Sequence, residues 1–198
     1  MDTPQRSRSI GIAIFFIISS AIGLVAALTL LVEKIHLLQN PDSKASCDFG
    51  LVVQCGKNLA SWQGSLLGFP NPTIGLIAWP VVMATGVAIL AGAHFATWYW
   101  RTFNIVALGA LAFAVWLMGQ SIFVLGTLCP WCMVTWAAVI PLFWVSTLWN
   151  LKSGIWTSNE RAREIGSRLL GWVPTIVFGS YLLVAIIAQL QLDVLSYL

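Results

Sequence analysis

Five apolar runs, each close to the roughly 20 residues that carry a helix across a bilayer, divide this chain at 10–32, 73–93, 102–125, 129–149 and 172–192. That pattern leaves little choice of fold. In lipid only helices and closed barrels satisfy every backbone N–H and C=O, and runs this long are helical. Of the 198 residues, 59% are hydrophobic and 9% charged, more apolar surface than a soluble domain of this size hides. The expectation is one all-α integral membrane domain over 1–198. The net charge of +3 is scattered through the loops and points to no nucleic-acid partner. The first run is too long for a signal-peptide core and has no small-residue cleavage site, so it reads as a retained span.

The connections are unequal. Residues 39–72 form the one long polar stretch and contain Cys47 and Cys55. Within it, 58–67 fits a short amphipathic helix with Trp62, Leu66 and Leu67 toward the bilayer, before Gly68-Phe69-Pro70-Asn71-Pro72 breaks the chain. Pro80 falls inside the second run, where a membrane helix tolerates it as a kink. Residues 150–171 are polar and basic, with Lys152, Arg161, Arg163 and Arg168 against Glu160 and Glu164. With the N-terminus inside, Arg6, Arg8, Arg101 and those four basic residues lie on the inner side, seven against three (Lys34, Lys44, Lys57) outside. Basic residues in short loops favour the cytoplasmic face, so the expected topology has a cytoplasmic N-terminus and an outer C-terminus at Leu198. Two spans separate the cysteine pairs, so both pairs face one side in either orientation.

Cys129-Pro130-Trp131-Cys132 stands where the fourth run begins. A C-x-x-C pair is a redox or metal motif first. Proline suits the first turn of a helix. With Cys129 as N-cap, its sulfur meets the positive end of the helix dipole, which favours thiolate. Cys132 then lies in the first turn, so that one sulfur faces water and the other the membrane interior. Simple packing at a helix end and a four-thiolate zinc site are the alternatives. The spacing is unlike a zinc finger, so no metal is expected. Cys47 and Cys55, with seven residues between them, fit either a structural staple or a mobile dithiol that exchanges with two partners in turn.

Taken together, Ser46-Cys47-Asp48, Cys55, Ser61, Leu67-Gly68-Phe69-Pro70-Asn71-Pro72 and Leu128-Cys129-Pro130-Trp131-Cys132 resemble the vitamin K epoxide reductase family, in particular its bacterial single-domain members. Glu33-Lys34-Ile35 at the end of the first run is similar as well, and the likeness covers about 10–149. The resemblance implies a four-helix bundle around a quinone pocket, roofed by an extracytoplasmic loop that carries a short helix. It leaves 150–171 as a cytoplasmic connector and 172–192 as an extra fifth span. It also implies roles: Cys132 toward the quinone, Cys129 exchanging with Cys55, and Cys47 meeting a thioredoxin-like partner. Asn71 matches a residue that hydrogen-bonds a quinone carbonyl, and Ser61 one near the loop disulfide. As plain sequence, Asn71 is equally a turn residue and Ser61 a helix cap. Trp136 stands where the family often has Tyr, one turn past the second active cysteine. Many bacterial members carry a fused thioredoxin-like domain; this sequence holds none, so the partner implied is a separate DsbA-like protein.

The expected function is therefore a multi-pass inner-membrane thiol oxidoreductase. It would reoxidise a DsbA-like partner and reduce menaquinone or ubiquinone through the two cysteine pairs, in support of disulfide formation. Two rivals remain at this stage. One is a carrier of reducing equivalents fed from the cytoplasm, which lacks the inner-loop thiols it would need. The other is a non-enzymatic membrane protein with two staples.

Overall fold

The computed structural model describes residues 3–197, and side chains from 10 to 196; Arg6, Arg8 and Leu198, which entered the expected orientation, lie outside the described side chains. The long helices are α1 (Thr3–Gln39), α3 (Pro72–Leu90), α4 (Thr97–Gly119), α5 (Pro130–Lys152) and α7 (Val173–Leu192). A short α2 (Gly56–Ala60) lies in the cysteine loop, and α6 (Glu160–Gly171) joins α5 to α7. The expected all-α membrane architecture forms, with five helices among the described residues long and apolar enough to cross a bilayer. The spans are apolar all round, as membrane helices are, whereas α6 has one polar and one apolar face. On α1 the exposed face is Ile10, Ile14, Ile18, Ile22, Val25, Leu28 and Val32, one side of a helix against lipid.

The boundaries shift from expectation for identifiable reasons. Helix α1 continues beyond 32 to Gln39 because its charged end is engaged. Glu33 accepts hydrogen bonds from the Ser46 hydroxyl and backbone N–H, and Lys34 Nζ donates to the Leu59 carbonyl at 2.6 Å. The single amphipathic helix expected over 58–67 is instead two pieces. Ser61 is extended (φ −68°, ψ 158°), and its hydroxyl accepts from Gly64 N–H at 3.3 Å to start a separate tight turn, Trp62–Ser65. Trp62 and Leu67 remain well exposed, as a lipid-facing edge requires. Helix α4 ends in a wider turn, Gln120–Leu125, and stops at Gly126, whose φ of 66° suits a residue without a side chain.

Helix α1 lies between α3 and α5, and α5 also meets α4, α6 and α7. The α1–α3 contact is close because small residues line it. A Cβ on Gly23 would enter the Trp79 ring, one on Gly75 would meet Ala27, and one on Gly86 would come within 2.8 Å of the Ala13 carbonyl oxygen. Small residues are how membrane helices gain contact without a hydrophobic drive between them. At the end of the bundle away from the cysteines, Asn104 donates to Ser146 and Thr147 and accepts from the Trp156 indole, and Arg101 Nε donates to the Ile155 carbonyl. These bonds fasten the α5–α6 connection to the bundle.

A pair of substitutions tests the seam. Gly86→Ala puts a methyl against a backbone oxygen that cannot swing away, and should destabilise by about 1–3 kcal/mol. Gly109→Ala meets nothing within 4 Å and should be neutral or gain about 0.5–1 kcal/mol from helix propensity. Thermal unfolding of both variants in detergent checks this; equal melting temperatures would contradict the packing described.

Candidate redox site and cavity

Cys129 is the N-cap of α5: its backbone is extended, Pro130 opens the helix, and its Sγ accepts from Cys132 N–H at 3.3 Å. The local reading of the motif as a capped helix start is what forms. The surroundings differ from it. Cys129 was expected to be reached by water, yet it is wholly buried (0% exposed), while Cys132 is half-buried. The cause is the loop, which lies over the helix start. Cys129 packs with Cys47, Cys55, Leu30, Ala45 and Leu59, and Cys132 touches the same cluster.

Three sets of bonds seat the loop. Leu128, immediately before Cys129, donates to the Val52 carbonyl at 2.7 Å and accepts from Gln54 N–H at 3.0 Å, pairing the two segments side by side. Asn58 Nδ2 donates to Thr127 Oγ1 at 2.8 Å, and Asn58 Oδ1 accepts from the Ser121 hydroxyl at 2.9 Å. Lys57 Nζ donates to the Leu125 carbonyl at the end of the wide turn of α4, where a cation meets the negative end of the helix. Within the loop, Cys47 and Cys55 are disulfide-bonded with Cα atoms 5.6 Å apart. The Asp48 carboxylate holds that bridge in place by accepting from Cys55, Gly56 and Ala45 N–H groups at 2.7, 2.9 and 3.2 Å. Asn58, Ser121 and Thr127 were not singled out from the sequence, and Asp48 was named only within the Ser46-Cys47-Asp48 motif, with no role. An Asp one residue after a loop cysteine, ahead of a short helix, is a recognisable side-chain-to-backbone motif and could have been given that role.

The Cys129 thiol is held below its ordinary pKa, chiefly by the hydrogen bond it shares with the Cys132 thiol. The backbone N–H groups of Cys132 and Trp131 add to this, while burial and the Asp48 charge oppose it. The result is a buried sulfur biased toward thiolate, directly under a disulfide.

On the other side of Cys132 lies a cavity of about 720 Å³, bounded by α1, the loop, α3, α4 and α5. Helices α3 and α4 scarcely pack on one another. A hydrogen bond between the Thr85 and Tyr99 hydroxyls closes their far end, and the cavity opens between them toward lipid. Ile77 (67% exposed) on α3 and Val106 (59%) on α4 belong to both its wall and the outer surface. Size and apolar lining with a few polar groups are those of a site for a bulky apolar ligand. The residues present thus fit a quinone.

Ser61, Asn71, Trp136 and Cys132 all line this cavity. Ser61 donates to the Asn58 carbonyl at 2.7 Å as it caps the following turn. Asn71 accepts from Leu66 N–H at 3.1 Å and donates to the Gln63 carbonyl at 2.6 Å, so it ties the roof together and keeps one Nδ2 hydrogen over. Trp136 is buried and forms a shared wall with a second, smaller cavity of about 490 Å³ between α5 and α7. It offers no hydroxyl where the resemblance led one to look for Tyr.

A family model described as the vitamin K epoxide reductase family matches residues 14–147. The match takes in α1 to α5 and the whole cysteine loop and leaves α6 and α7 outside it. No curated protein matches the chain.

The hydrogen bond between the two thiols sets a pH-dependent test. Cys132→Ala removes the group that most lowers the Cys129 pKa, so the pKa should rise and the midpoint of its alkylation should move to higher pH. Alkylation rates of Cys129 across pH, scored by mass spectrometry in the protein with its loop disulfide intact, check this. An unmoved or lowered midpoint contradicts it.

Proposed function

The chain belongs to the vitamin K epoxide reductase family, a family of membrane thiol oxidoreductases, and from that premise we propose that it reoxidises a separate DsbA-like, thioredoxin-fold protein and passes the electrons through two cysteine pairs to a membrane quinone. The observation that carries the reading is the placing of the four cysteines. A disulfide sits in a loop, a buried sulfur lies beneath it, and a fourth sulfur lines a cavity open to lipid. In this reading the cysteine end faces the extracytoplasmic side, where protein disulfides persist, and the N-terminus is cytoplasmic. The seven-to-three bias of basic residues supports that orientation.

The steps balance as thiol–disulfide exchanges. A partner thiolate attacks Cys47 and releases Cys55; the second partner thiol then closes the partner's disulfide and releases Cys47. Cys55 next attacks Cys129 of an oxidised Cys129–Cys132 pair and frees Cys132 as thiolate. Cys47 attacks Cys55, restores the loop disulfide and leaves Cys129 reduced. Cys129 and Cys132 re-form their disulfide by giving up two electrons and two protons. A bound quinone, menaquinone or ubiquinone, would accept them and become quinol. Asn71 would direct its remaining N–H at a carbonyl, Ser61 would keep the roof turn in place, and Trp136 would wall the cavity beside Cys132. The low pKa of Cys129 raises its thiolate fraction and makes it the better leaving group when Cys47 resolves the mixed disulfide.

Two experiments test the order. Cys47→Ala leaves the Cys55–Cys129 bond without a resolving thiol, so that mixed disulfide should accumulate; peptide mapping that finds Cys55 free and Cys129 bonded to Cys132 counts against it. Cys132→Ser, chemically reduced, should lose single-turnover quinone reduction; with its loop disulfide intact, the same variant should still form the Cys55–Cys129 bond, because Cys129 attacks Cys55 and releases Cys47. Wild-type rates in that variant would place the electron exit elsewhere.

A further inference from the structure

Gln63 in the roof and Gln120 at the start of the wide turn of α4 both line the cavity, and Gln63 Nε2 donates to Gln120 Oε1 at 3.2 Å. Around this cysteine-side end of the cavity, the other polar side chains are already engaged. Asn58 is bonded through both ends of its amide, Ser61 and Ser121 donate to Asn58, and Thr135 donates to the Trp131 carbonyl. Asn71 has one hydrogen to spare. What remains is the glutamine pair. Gln120 Nε2 makes no hydrogen bond among the described residues. Gln63 is buried, and its Oε1 is sealed from solvent with no partner among the described residues.

A buried amide left half-satisfied in an apolar wall costs stability, and Leu or Met would fill the space without that penalty. Gln120 also opens the six-residue widened turn Gln120–Leu125, a distortion that recurs at functional sites. The pair is joined to the proposed ligand residue as well: Asn71 Nδ2 holds the backbone carbonyl of the same Gln63 whose side chain holds Gln120. Two spare amide donors are thus fixed to one residue.

A quinone presents acceptors only, whereas a quinol presents hydroxyl donors. A terminal amide serves either form, because rotating it about its last torsion exchanges N–H and C=O. If both glutamines rotate together, their mutual hydrogen bond survives with the roles reversed. Resting on the quinone reading above, we infer that Gln120, positioned by Gln63, is a second hydrogen-bonding group for the quinone head, opposite Asn71, that donates to the oxidised form and accepts from the reduced form.

The test uses the full chain in detergent with both disulfides formed and a short-chain quinone as ligand. Infrared spectra of the bound quinone should show both carbonyl bands lowered by hydrogen bonding. Gln120→Met, of similar length and volume, should return one band toward its free position, and Asn71→Ala the other. Tryptophan fluorescence titration of Gln120→Met should give roughly tenfold weaker binding of both the quinone and its quinol, as for one lost hydrogen bond. Exchange of the loop disulfide with a small dithiol should be unchanged. A wild-type protein that binds no quinone overturns the functional reading itself, and this inference with it. A protein that binds quinone while Gln120→Met leaves spectrum and affinity unmoved overturns this inference alone. Weakening of the quinone but not the quinol overturns the rotating amide.

Discussion

The structure depends on the pairing of Leu128 with Val52 and Gln54. These backbone bonds lie one residue before the C-x-x-C and in the middle of the cysteine loop. They therefore fix, at one point, where the loop disulfide stands relative to Cys129. Everything at that end follows from the docking. Cys129 is sealed, α2 and the Trp62–Ser65 turn become a roof, and Asn58 comes within reach of Thr127 and Ser121. A loop seated by a few hydrogen bonds can also lift, and a sulfur buried beneath it must be uncovered or approached from below to react.

The cavity is a consequence of unequal packing. Helix α3 is drawn onto α1 through Gly23, Gly75 and Gly86, and α4 is drawn onto α5. Neighbours in sequence, α3 and α4, are left apart along most of their length and meet through the Thr85–Tyr99 bond at one end. In water such an apolar gap would collapse. Between membrane helices it is stable, because lipid covers the exposed edge at little cost.

Electrostatics at the site pull in opposite directions. Asp48 organises the loop with three backbone N–H bonds, each of a charge-assisted kind. Its negative charge nevertheless opposes a thiolate at Cys129, and the Cys132 thiol and the helix-start N–H groups outweigh it. The same carboxylate thus builds the contact between the sulfur pairs and restrains the reactivity of one of them.

Local sequence was enough for everything that near neighbours determine. Run length set five helices, Cys129-Pro130 set a capped helix start, and an even number of spans put both cysteine pairs at one end, where the structure has them. The resemblance carried by the two spaced cysteine pairs was sufficient for the family. Tertiary structure alone decided the burial of Cys129, the break at Ser61, the engagement of Asn71 by the roof turn, and the meeting of Gln63 with Gln120. The burial of Cys129 and the Gln63–Gln120 contact join residues tens of positions apart, from the loop to the spans, whereas the bonds at Ser61 and Asn71 stay within the roof itself. No periodicity or motif encodes such pairs, because each exists only once the loop has docked and its unpaired N–H and C=O groups have found partners there.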